Sequence, residues 1–346
     1  MKTLFYYFIK YVIRGAARIY FRKIKIYGLE NIPKRGGILF SPNHQGAFLD
    51  PLLIGSTIGK PITSLTRSDV FGGPLQWFMD ALKMLPIYRI RNGYANLRKN
   101  EAIFQKCRNL LSDEQWIMMF SEAAHHNEYY LQSLSKGSSR LALEAQEQSQ
   151  IPIYMLPVGI NYGHHQKPLC VVHLVFGTPI AVGPYLENFS ERPEAINALR
   201  NTLSVAMKKC LWLPDKDEQY FEKKALIHPA NTRLTFENLK KGIECKALFP
   251  AKTNKNQQWN LWWSKIFGLP NFLPLFILKK TLGLFEDIVF YSSIKISAGL
   301  VLFTLWWVTV TLVLNVFWGW ETSLWGFLFC IMSLFIRQKL YNKTKS

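Results

Sequence analysis

Short apolar runs alternate with helical segments between residues 24 and 183. The runs have the length and the β-forming composition typical of strands; they are KIKIYG, GILFSP, PITSLT, LPIYRI, WIMMFSE, IPIYMLPVGINY and CVVHLVFGTPIAV. Helical segments lie between them at residues 74–83, 95–111 and 136–148. This alternation predicts an α/β fold with a mixed, mostly parallel sheet covered by helices.

The pattern becomes mostly helical and polar after residue 183. An apolar stripe at helical spacing runs through this part, formed by Ile196, Leu199, Leu203, Met207 and Cys210. The stretch PAKTNKNQQ near residue 250 is typical of a linker. The predicted organisation is an interfacial amphipathic helix (1–23), a sheet domain (24–183), a helical extension with linker (184–260) and a membrane region (261–346).

The membrane region contains two uncharged stretches. Residues 296–320 are long enough for a spanning helix of about 20 residues, and residues 323–336 are shorter. Alternatively, the turn lies near Asn315, which gives two spans of similar length. Lys295 precedes the pair, and four cations follow it: Arg337, Lys339, Lys343 and Lys345. By the positive-inside rule this pattern predicts a transmembrane hairpin with both ends in the cytoplasm. The earlier stretch IFGLPNFLPLFILKK is too short to span comfortably and is expected to lie in or dip into the interface.

The first helix carries a basic stripe. Lys10, Arg14, Arg18 and Arg22 recur every four residues, and apolar residues cover much of the remainder. This pattern predicts a helix that lies at a membrane interface with its cations towards anionic headgroups. The alternative is an ordinary surface helix packed on a core.

Composition narrows the choice of partner. The 346 residues carry a formal net charge of +19, which implies either nucleic acid or an anionic lipid surface as partner. Most of the 11 tryptophans lie in the last hundred residues beside long apolar runs, as expected of residues at a bilayer interface. We therefore predict an anionic phospholipid membrane as partner, and no nucleic acid.

Nothing in the sequence indicates a metal or a cofactor. The five cysteines include no C-x-x-C pair, which is typical of a reducing compartment. The pairs His125–His126 and His164–His165 lack a surrounding carboxylate pattern, and no glycine-rich phosphate loop is present. We predict neither a metal site nor a bound cofactor.

The stretch FSPNHQGAFLDPLL places a histidine and an aspartate between a predicted strand and a predicted helix. If Gly46 permits a tight turn, Asp50 can orient the His44 imidazole, which then acts as a general base. Alternatively, Asp50 caps the helix that Pro51 begins, and His44 is an incidental surface residue. The spacing alone leaves both interpretations open.

Four stretches together resemble, in order and spacing, the motif blocks of the glycerolipid (PlsC-like) acyltransferase family: NHQGAFLDP, LPIYRIRNG, FSEAAHHNE with SKGSSRLALEA, and MLPVGINY. The resemblance implies that His44 and Asp50 are catalytic. It also implies four substrate-binding residues: Arg89, which the family associates with the acceptor phosphate, Glu122, Lys136 and Pro157.

The chain departs from the common family pattern in three ways. Five residues separate His44 from Asp50 instead of four. In the third block, Ser121 and Ala123 stand where the family has proline and glycine. Ala124 and His125 then replace a common Thr-Arg pair, so one phosphate-binding cation is missing. The later stretch FEDIVFYSSIKISAGL resembles a subgroup that includes fungal glycerol-phosphate acyltransferases.

The resemblance implies a membrane-bound O-acyltransferase of phospholipid biosynthesis, with its catalytic domain on the cytoplasmic face. We expect transfer of a fatty acyl group from acyl-CoA or acyl carrier protein to 1-acyl-sn-glycerol 3-phosphate. Glycerol 3-phosphate or another lysophospholipid is the alternative acceptor. A non-catalytic lipid-binding scaffold is the alternative class of protein.

Overall fold

The sheet is built from the apolar runs of residues 24–183. The computed structural model describes residues 2–71, 73, 76–88, 97–122, 124–249 and 257–344. In these ranges eight strands form one sheet: β1 Lys23–Tyr27, β2 Gly37–Pro42, β3 Ile62–Arg67, β4 Met84–Ile87, β5 Trp116–Met118, β6 Ile153–Tyr162, β7 Val171–Phe176 and β8 Ile180–Ala181. Their order is β1-β7-β6-β2-β5-β3-β4, with β8 also pairing β6. Pairings are parallel except those of β6 with β7 and β8, so the predicted mixed, mostly parallel sheet is confirmed.

Twelve helices surround or extend this sheet within the same ranges. They are α1 Lys2–Tyr20, α2 Leu49–Thr57, α3 Gln76–Ala81, α4 Leu97–Ser112, α5 Gly137–Gln148, α6 Gly183–Glu187, α7 Arg192–Lys209, α8 Tyr220–Ala225, α9 Phe236–Glu244, α10 Gln257–Ile266, α11 Phe272–Leu282 and α12 Phe290–Thr344. The crossover helices α2 to α5 connect parallel strands, as parallel pairing requires.

The apolar core lies on both faces of the sheet. One face packs against α4, α5 and α7, and the other packs against α1, α2 and the start of α12. The apolar stripe predicted after residue 184 belongs to α7, where Leu199, Leu203 and Met207 are fully buried. The predicted helical extension therefore begins with a helix of the sheet domain's own core. Residues 212–243 form a separate apolar cluster around Trp212 and Phe236.

The basic stripe of α1 is divided rather than facing one side. Lys10 is buried, and its ammonium group donates to the carbonyls of Ile58 (2.5 Å) and Gly59 (3.2 Å), next to the end of α2. A cation at that position neutralises the negative end of the helix dipole. The predicted orientation, with all four cations towards headgroups, is therefore wrong for Lys10. The outward face of α1 is instead largely apolar, with Leu4, Phe8, Tyr11 and Ile19 all exposed.

The C-terminal helix α12 is two helical arms joined at Gly319. That glycine has a φ of 78°, which breaks the helix between residues 290–318 and 320–344. The arms pack against each other, since Trp307 contacts Phe327 and a Cβ on Gly326 would lie 2.2 Å from Leu314. Among the described helices, α12 alone is long and apolar enough to cross a membrane. It forms the predicted C-terminal hairpin.

The stretch predicted to dip into the interface forms α10 and α11, which meet at a bend of 53°. Asn271 lies at the bend and is fully buried. Its amide nitrogen donates to the Cys330 carbonyl (2.7 Å) and to Ser333 (3.0 Å), and its amide oxygen accepts from Trp307 (2.8 Å). One side chain thus links the bend to both arms of α12. If the bent pair acts as one unit, it is a second candidate span.

Candidate active site

His44 and Asp50 meet at the carboxyl end of β2. The Nδ1 atom of His44 lies 2.9 Å from Oδ2 of Asp50, whose side chain is fully buried. Oδ2 also accepts from the backbone N–H groups of Gln45 (2.9 Å) and Gly46 (2.8 Å). The Tyr162 hydroxyl donates to Oδ1 at 2.7 Å. This carboxylate is therefore held in place by four donors, and it orients the imidazole.

The capping interpretation of Asp50 is wrong. Helix α2 begins at Leu49, its N-cap is Phe48, and no side-chain cap is present. Asp50 lies inside the first turn and bonds to the preceding turn and to the end of β6. Burial and the neighbouring carboxylate raise the pKa of Tyr162, so its hydroxyl remains a donor.

Gly46 is required for space rather than for an unusual backbone conformation. A Cβ at this position would lie 2.6 Å from Oδ1 of Asp50 and 2.7 Å from the Tyr162 hydroxyl. The left-handed residue of the turn is Ala47, with a φ of 48°. The sequence correctly indicated that Gly46 is needed. The predicted reason was a tight turn, whereas the structure shows that the reason is close packing.

The reactive nitrogen of His44 is left for a substrate. The ring stacks on Phe120 with 3.9 Å between centroids, and the side chain is 17% exposed. Nδ1 is engaged by Asp50, whereas Nε2 makes no hydrogen bond to any residue that the structure describes. A neutral imidazole oriented in this way can accept a proton from a hydroxyl at Nε2.

Glu122 holds the catalytic turn through a hydrogen bond to its backbone. Its side chain is fully buried, and Oε2 accepts from the backbone N–H of His44 at 2.6 Å. Oε1 accepts from the Gln132 backbone N–H (2.8 Å) and lies 3.1 Å from Nε2 of His126. The expected substrate-binding role of Glu122 is therefore not supported, because both of its carboxylate oxygens already have hydrogen-bond partners within the protein. The structure makes Glu122 a residue that positions His44.

Pro157 lies in the middle of the sheet. It is buried within β6 opposite Ser41 of β2, and its carbonyl accepts from the Gly177 backbone N–H. Direct contact with substrate, as predicted, is not supported by this burial. Asn43 is the residue that sequence reasoning missed here. Its side chain bonds both the N–H (2.7 Å) and the carbonyl (3.1 Å) of Ile160, which fixes the start of the turn against β6.

The two remaining residues predicted to bind substrate are the cations Arg89 and Lys136. Arg89 lies outside the described residues. Lys136 is exposed at the N-cap of α5 and makes no ion pair with a described residue. Arg140, the other cation of this block, pairs with Glu144 at 2.9 Å.

A second histidine–carboxylate pair, missed by sequence reasoning, lies beside the dyad. Nε2 of His125 is 2.9 Å from Oδ2 of Asp287, and the His125 ring is 5.5 Å from the His44 ring. Burial lowers the pKa of His125, and the nearby His44 adds to this, while Asp287 opposes it. His126 turns to Glu122 instead, so the adjacent histidines point to different partners. In the described residues no group of three or more His, Cys, Asp or Glu could hold a metal ion.

The start of α12 bonds directly to the catalytic turn. The Ser293 hydroxyl donates to the Gly46 carbonyl (2.7 Å) and accepts from the Leu49 backbone N–H (3.0 Å). Ser292 donates to the His165 carbonyl, and Phe290 contacts both Phe48 and His125. In the sequence, this stretch was notable only for its resemblance to a known subgroup. That resemblance did not predict contacts between the start of α12 and the catalytic turn.

Comparison with known proteins identifies one family over the residues that contain the site. A family model described as Acyltransferase matches residues 23–161, which contain the dyad, Glu122 and Pro157. No curated protein matches the chain. The chain is similar to a crystal structure of the 1-acyl-sn-glycerophosphate (LPA) acyltransferase PlsC from Thermotoga maritima. The identity is 20% and the TM-score 0.40, over 58% of this chain and 79% of that one. The family model confirms the resemblance predicted from the four motif blocks: residues 23–161 form an acyltransferase domain of the PlsC-like type.

Proposed function

We propose that this acyltransferase transfers a fatty acyl group from acyl-CoA or acyl carrier protein to the free hydroxyl of 1-acyl-sn-glycerol 3-phosphate. The observation that carries the proposal is the His44–Asp50 pair, with Nδ1 bonded to a buried carboxylate and Nε2 without a described partner. The family supports acyl transfer to a glycerolipid. The acceptor is our inference from the predicted phosphate contact of Arg89.

In the proposed reaction Nε2 of His44 removes the proton of the acceptor hydroxyl. The hydroxyl oxygen attacks the thioester carbonyl carbon, which gives a tetrahedral oxyanion. The C–S bond then breaks, and the thiolate takes the proton from the imidazolium. Asp50 stabilises that imidazolium throughout. The reaction balances without a cofactor, because the thioester supplies the acyl group and the free thiol leaves.

The hydrogen bonds of the turn limit where oxyanion donors lie. The N–H groups of Gln45 and Gly46 bind Asp50, and the N–H of His44 binds Glu122. These three groups are therefore not free to stabilise the oxyanion. The donors must come from elsewhere around Nε2 of His44.

The membrane arrangement is part of the proposal. Both arms of α12 return to the catalytic domain, and cations flank the hairpin at Lys295 and Arg337. We infer that the hairpin crosses the membrane and that the domain lies on the cytoplasmic face, by the positive-inside rule.

The test is purified full-length protein in lipid, offered acyl donors against a panel of acceptors, with release of the free thiol as readout. We expect 1-acyl-sn-glycerol 3-phosphate to be the best acceptor. His44→Ala should lower turnover by about 10²–10⁴-fold, the usual contribution of a general base. His228→Ala, in the separate cluster of residues 212–243, is the control and should keep full activity.

Two results would contradict the proposal. If His44→Ala keeps most of its turnover, the dyad is not the base. If wild-type protein binds lysophospholipid but releases no thiol with any acceptor, the chain is a lipid-binding scaffold. A preference for glycerol 3-phosphate over the lysophospholipid would replace only the acceptor.

A further inference from the structure

A cationic cavity lies between α1, β1 and the end of α2. It has a volume of about 350 Å³. Four cations line it, namely Arg14, Arg18, Arg22 and Lys23, together with the apolar side chains of Phe21, Ile24 and Ile26. Ser56 and Thr57 close it at the end of α2. The cavity therefore combines a concentrated positive charge with an apolar wall.

The four cations have no acidic partner in the part of the chain that the structure describes. This differs from the interior of the same domain. There Arg108 pairs with both Glu101 (2.6 Å) and Glu144 (2.5 Å). Four like charges around one cavity repel one another, and a bound anion relieves this repulsion. The missing counter-charge indicates an anionic ligand.

The cavity is separate from the catalytic dyad. Thr57 lies seven residues after Asp50 on α2, about 10 Å along a helix that rises 1.5 Å per residue. No residue of the catalytic turn lines the cavity. An anion bound there is therefore not the acceptor phosphate beside His44.

The cavity lies where the membrane hairpin joins the domain. Tyr20, between Arg18 and Arg22 in sequence, bonds Ser292 at the start of α12 (3.1 Å). Near the end of α12, Asn342 donates to the Pro168 carbonyl, and the next residue, Leu169, donates its N–H to the Tyr20 carbonyl. Both ends of the hairpin thus meet at the end of α1. The ends of membrane-crossing helices mark the level of the lipid headgroups.

The exposed face of α1 indicates the same surface. Leu4 is 78% and Ile19 is 77% exposed, and Phe8 and Tyr11 are exposed along the same face. An apolar helix face next to cations is typical of a helix that inserts into the headgroup region. The cations of the cavity would then contact phosphates while the apolar face contacts acyl chains.

We propose that the cavity formed by Arg14, Arg18, Arg22 and Lys23 binds the phosphate group of an anionic phospholipid. The bound lipid is a structural partner and not a substrate. It holds α1 and the hairpin base at one level of the bilayer. The proposal rests on the membrane arrangement proposed above but not on the acceptor, because its test measures binding without acyl transfer.

The test uses full-length protein in a neutral detergent, titrated separately with dihexanoyl phosphatidylglycerol, dihexanoyl phosphatidylcholine and inorganic phosphate. Calorimetry gives the affinity, and thermal unfolding gives an independent check. We expect tighter binding of the anionic lipid. Each cation near an anionic phosphate strengthens binding of the lipid. The variant Arg14→Gln/Arg18→Gln/Arg22→Gln should therefore bind phosphatidylglycerol roughly 10- to 100-fold more weakly than the wild type.

The control variant Lys34→Gln/Arg35→Gln/Lys106→Gln removes the same charge from exposed positions. Lys34 and Arg35 precede the amino end of β2, whereas His44 follows its carboxyl end. This variant should bind the anionic lipid like the wild type. If the triple arginine variant unfolds, Arg18→Gln alone, at an exposed position, tests the same contact.

Three outcomes would overturn the proposal. Equal affinity for the two lipids would show that charge is not recognised. Equal loss in both variants would show a general effect of net charge. Strong binding of inorganic phosphate without binding of phosphatidylglycerol would show a site for a soluble anion.

Discussion

The Asp50 carboxylate determines the geometry of the catalytic turn at the scale of single residues. It accepts from the imidazole, two backbone N–H groups and one hydroxyl. Each hydrogen bond to a charged group contributes about 1.5–3 kcal/mol. The turn is therefore rigid, because one buried carboxylate accepts hydrogen bonds from several of its groups. Small changes in structure beside Asp50 should then have large effects on the rate.

Gly46→Ala tests this rigidity. The added Cβ would lie 2.6 Å from the Asp50 carboxylate, so either the carboxylate or the turn must move. A displacement of about 1 Å at a catalytic group can cost 10²-fold in rate, and we expect a loss of about that size in kcat. Gly15→Ala on α1 is the control, because no atom lies within 4 Å of its added Cβ. Unchanged kcat in Gly46→Ala would contradict the role of close packing.

Arg89 tests the acceptor. If it binds the acceptor phosphate, Arg89→Gln removes a charged, bidentate contact of about 1.5–3 kcal/mol. This corresponds to roughly 10- to 150-fold in kcat/KM. Arg89→Lys keeps the charge without the fork and should be intermediate. The loss should be nearly absent for a neutral monoacylglycerol.

Arg91→Gln is the matched control for this prediction. It removes the same charge two residues away and should leave kcat/KM nearly unchanged. Equal losses on charged and neutral acceptors, or a larger effect at Arg91, would rule out the phosphate contact. Either result would also remove the basis for a glycerol-phosphate type of acceptor.

At the scale of elements, the strands could be predicted because buried strands of a parallel sheet are continuous apolar runs. The run CVVHLVFGTPIAV was predicted as one strand, but it divides into β7 and β8 at Gly177–Pro179, where a glycine and a proline interrupt the apolar pattern. The direction of Lys10 could not be predicted. Helical spacing places it with Arg14 and Arg18, but the carbonyls at the end of α2 bring it inward.

The site was predictable to the extent that its residues are close in sequence. His44 and Asp50 are six positions apart, and their pairing was one of two interpretations. The hydrogen bond of Glu122 to the His44 backbone was not predictable. Residue type alone does not distinguish a carboxylate that binds a substrate from one that bonds to a backbone N–H group. The contact of Ser293 with Gly46 joins residues 247 positions apart, and no local pattern encodes it.

That contact makes the start of α12 a support for the catalytic turn. Ser293→Ala removes a hydroxyl that bonds both Gly46 and Leu49. Loss of these two hydrogen bonds costs about 1 kcal/mol each, so we expect kcat to fall about 30-fold, with little change in KM for the acyl donor. Ser293→Thr should restore much of the rate, because it keeps the hydroxyl.

Ser297→Ala is the control for this variant. Its hydroxyl bonds only the Ser293 carbonyl of its own helix among the described contacts, and its loss should not change kcat. A fall in thermal stability with unchanged kcat in Ser293→Ala would mean that α12 only holds the fold. Thermal unfolding, together with steady-state kinetics in which both substrates are varied, separates these results.

For the whole molecule, the hairpin predicts where each part lies relative to the bilayer. Both arms meet the domain, so Lys339 should lie on the same side of the membrane as the exposed native Cys245. Trp318, next to the break at Gly319, should lie on the opposite side. We expect a membrane-impermeant thiol reagent to label Lys339→Cys and Cys245 together in inside-out vesicles.

Trp318→Cys should be labelled only in right-side-out vesicles or cells. Cys245 provides the internal control in each preparation, because it reports the side of the catalytic domain. Labelling of Trp318→Cys and Cys245 from the same side would mean that the hairpin does not cross the membrane.

The bond between Ser293 and the catalytic turn also joins two parts of the chain that are synthesised at different times. Leu49 and Ser293 are 244 positions apart. A ribosome adds about 5–20 residues per second, so roughly 10–50 s pass between the synthesis of the two. During this interval the nascent chain carries His44 and Asp50 without the helix that supports their turn. The hydrogen bonds from Ser293 to the catalytic turn can therefore form only late in synthesis, and we expect full activity only after the start of α12 has left the ribosome and docked.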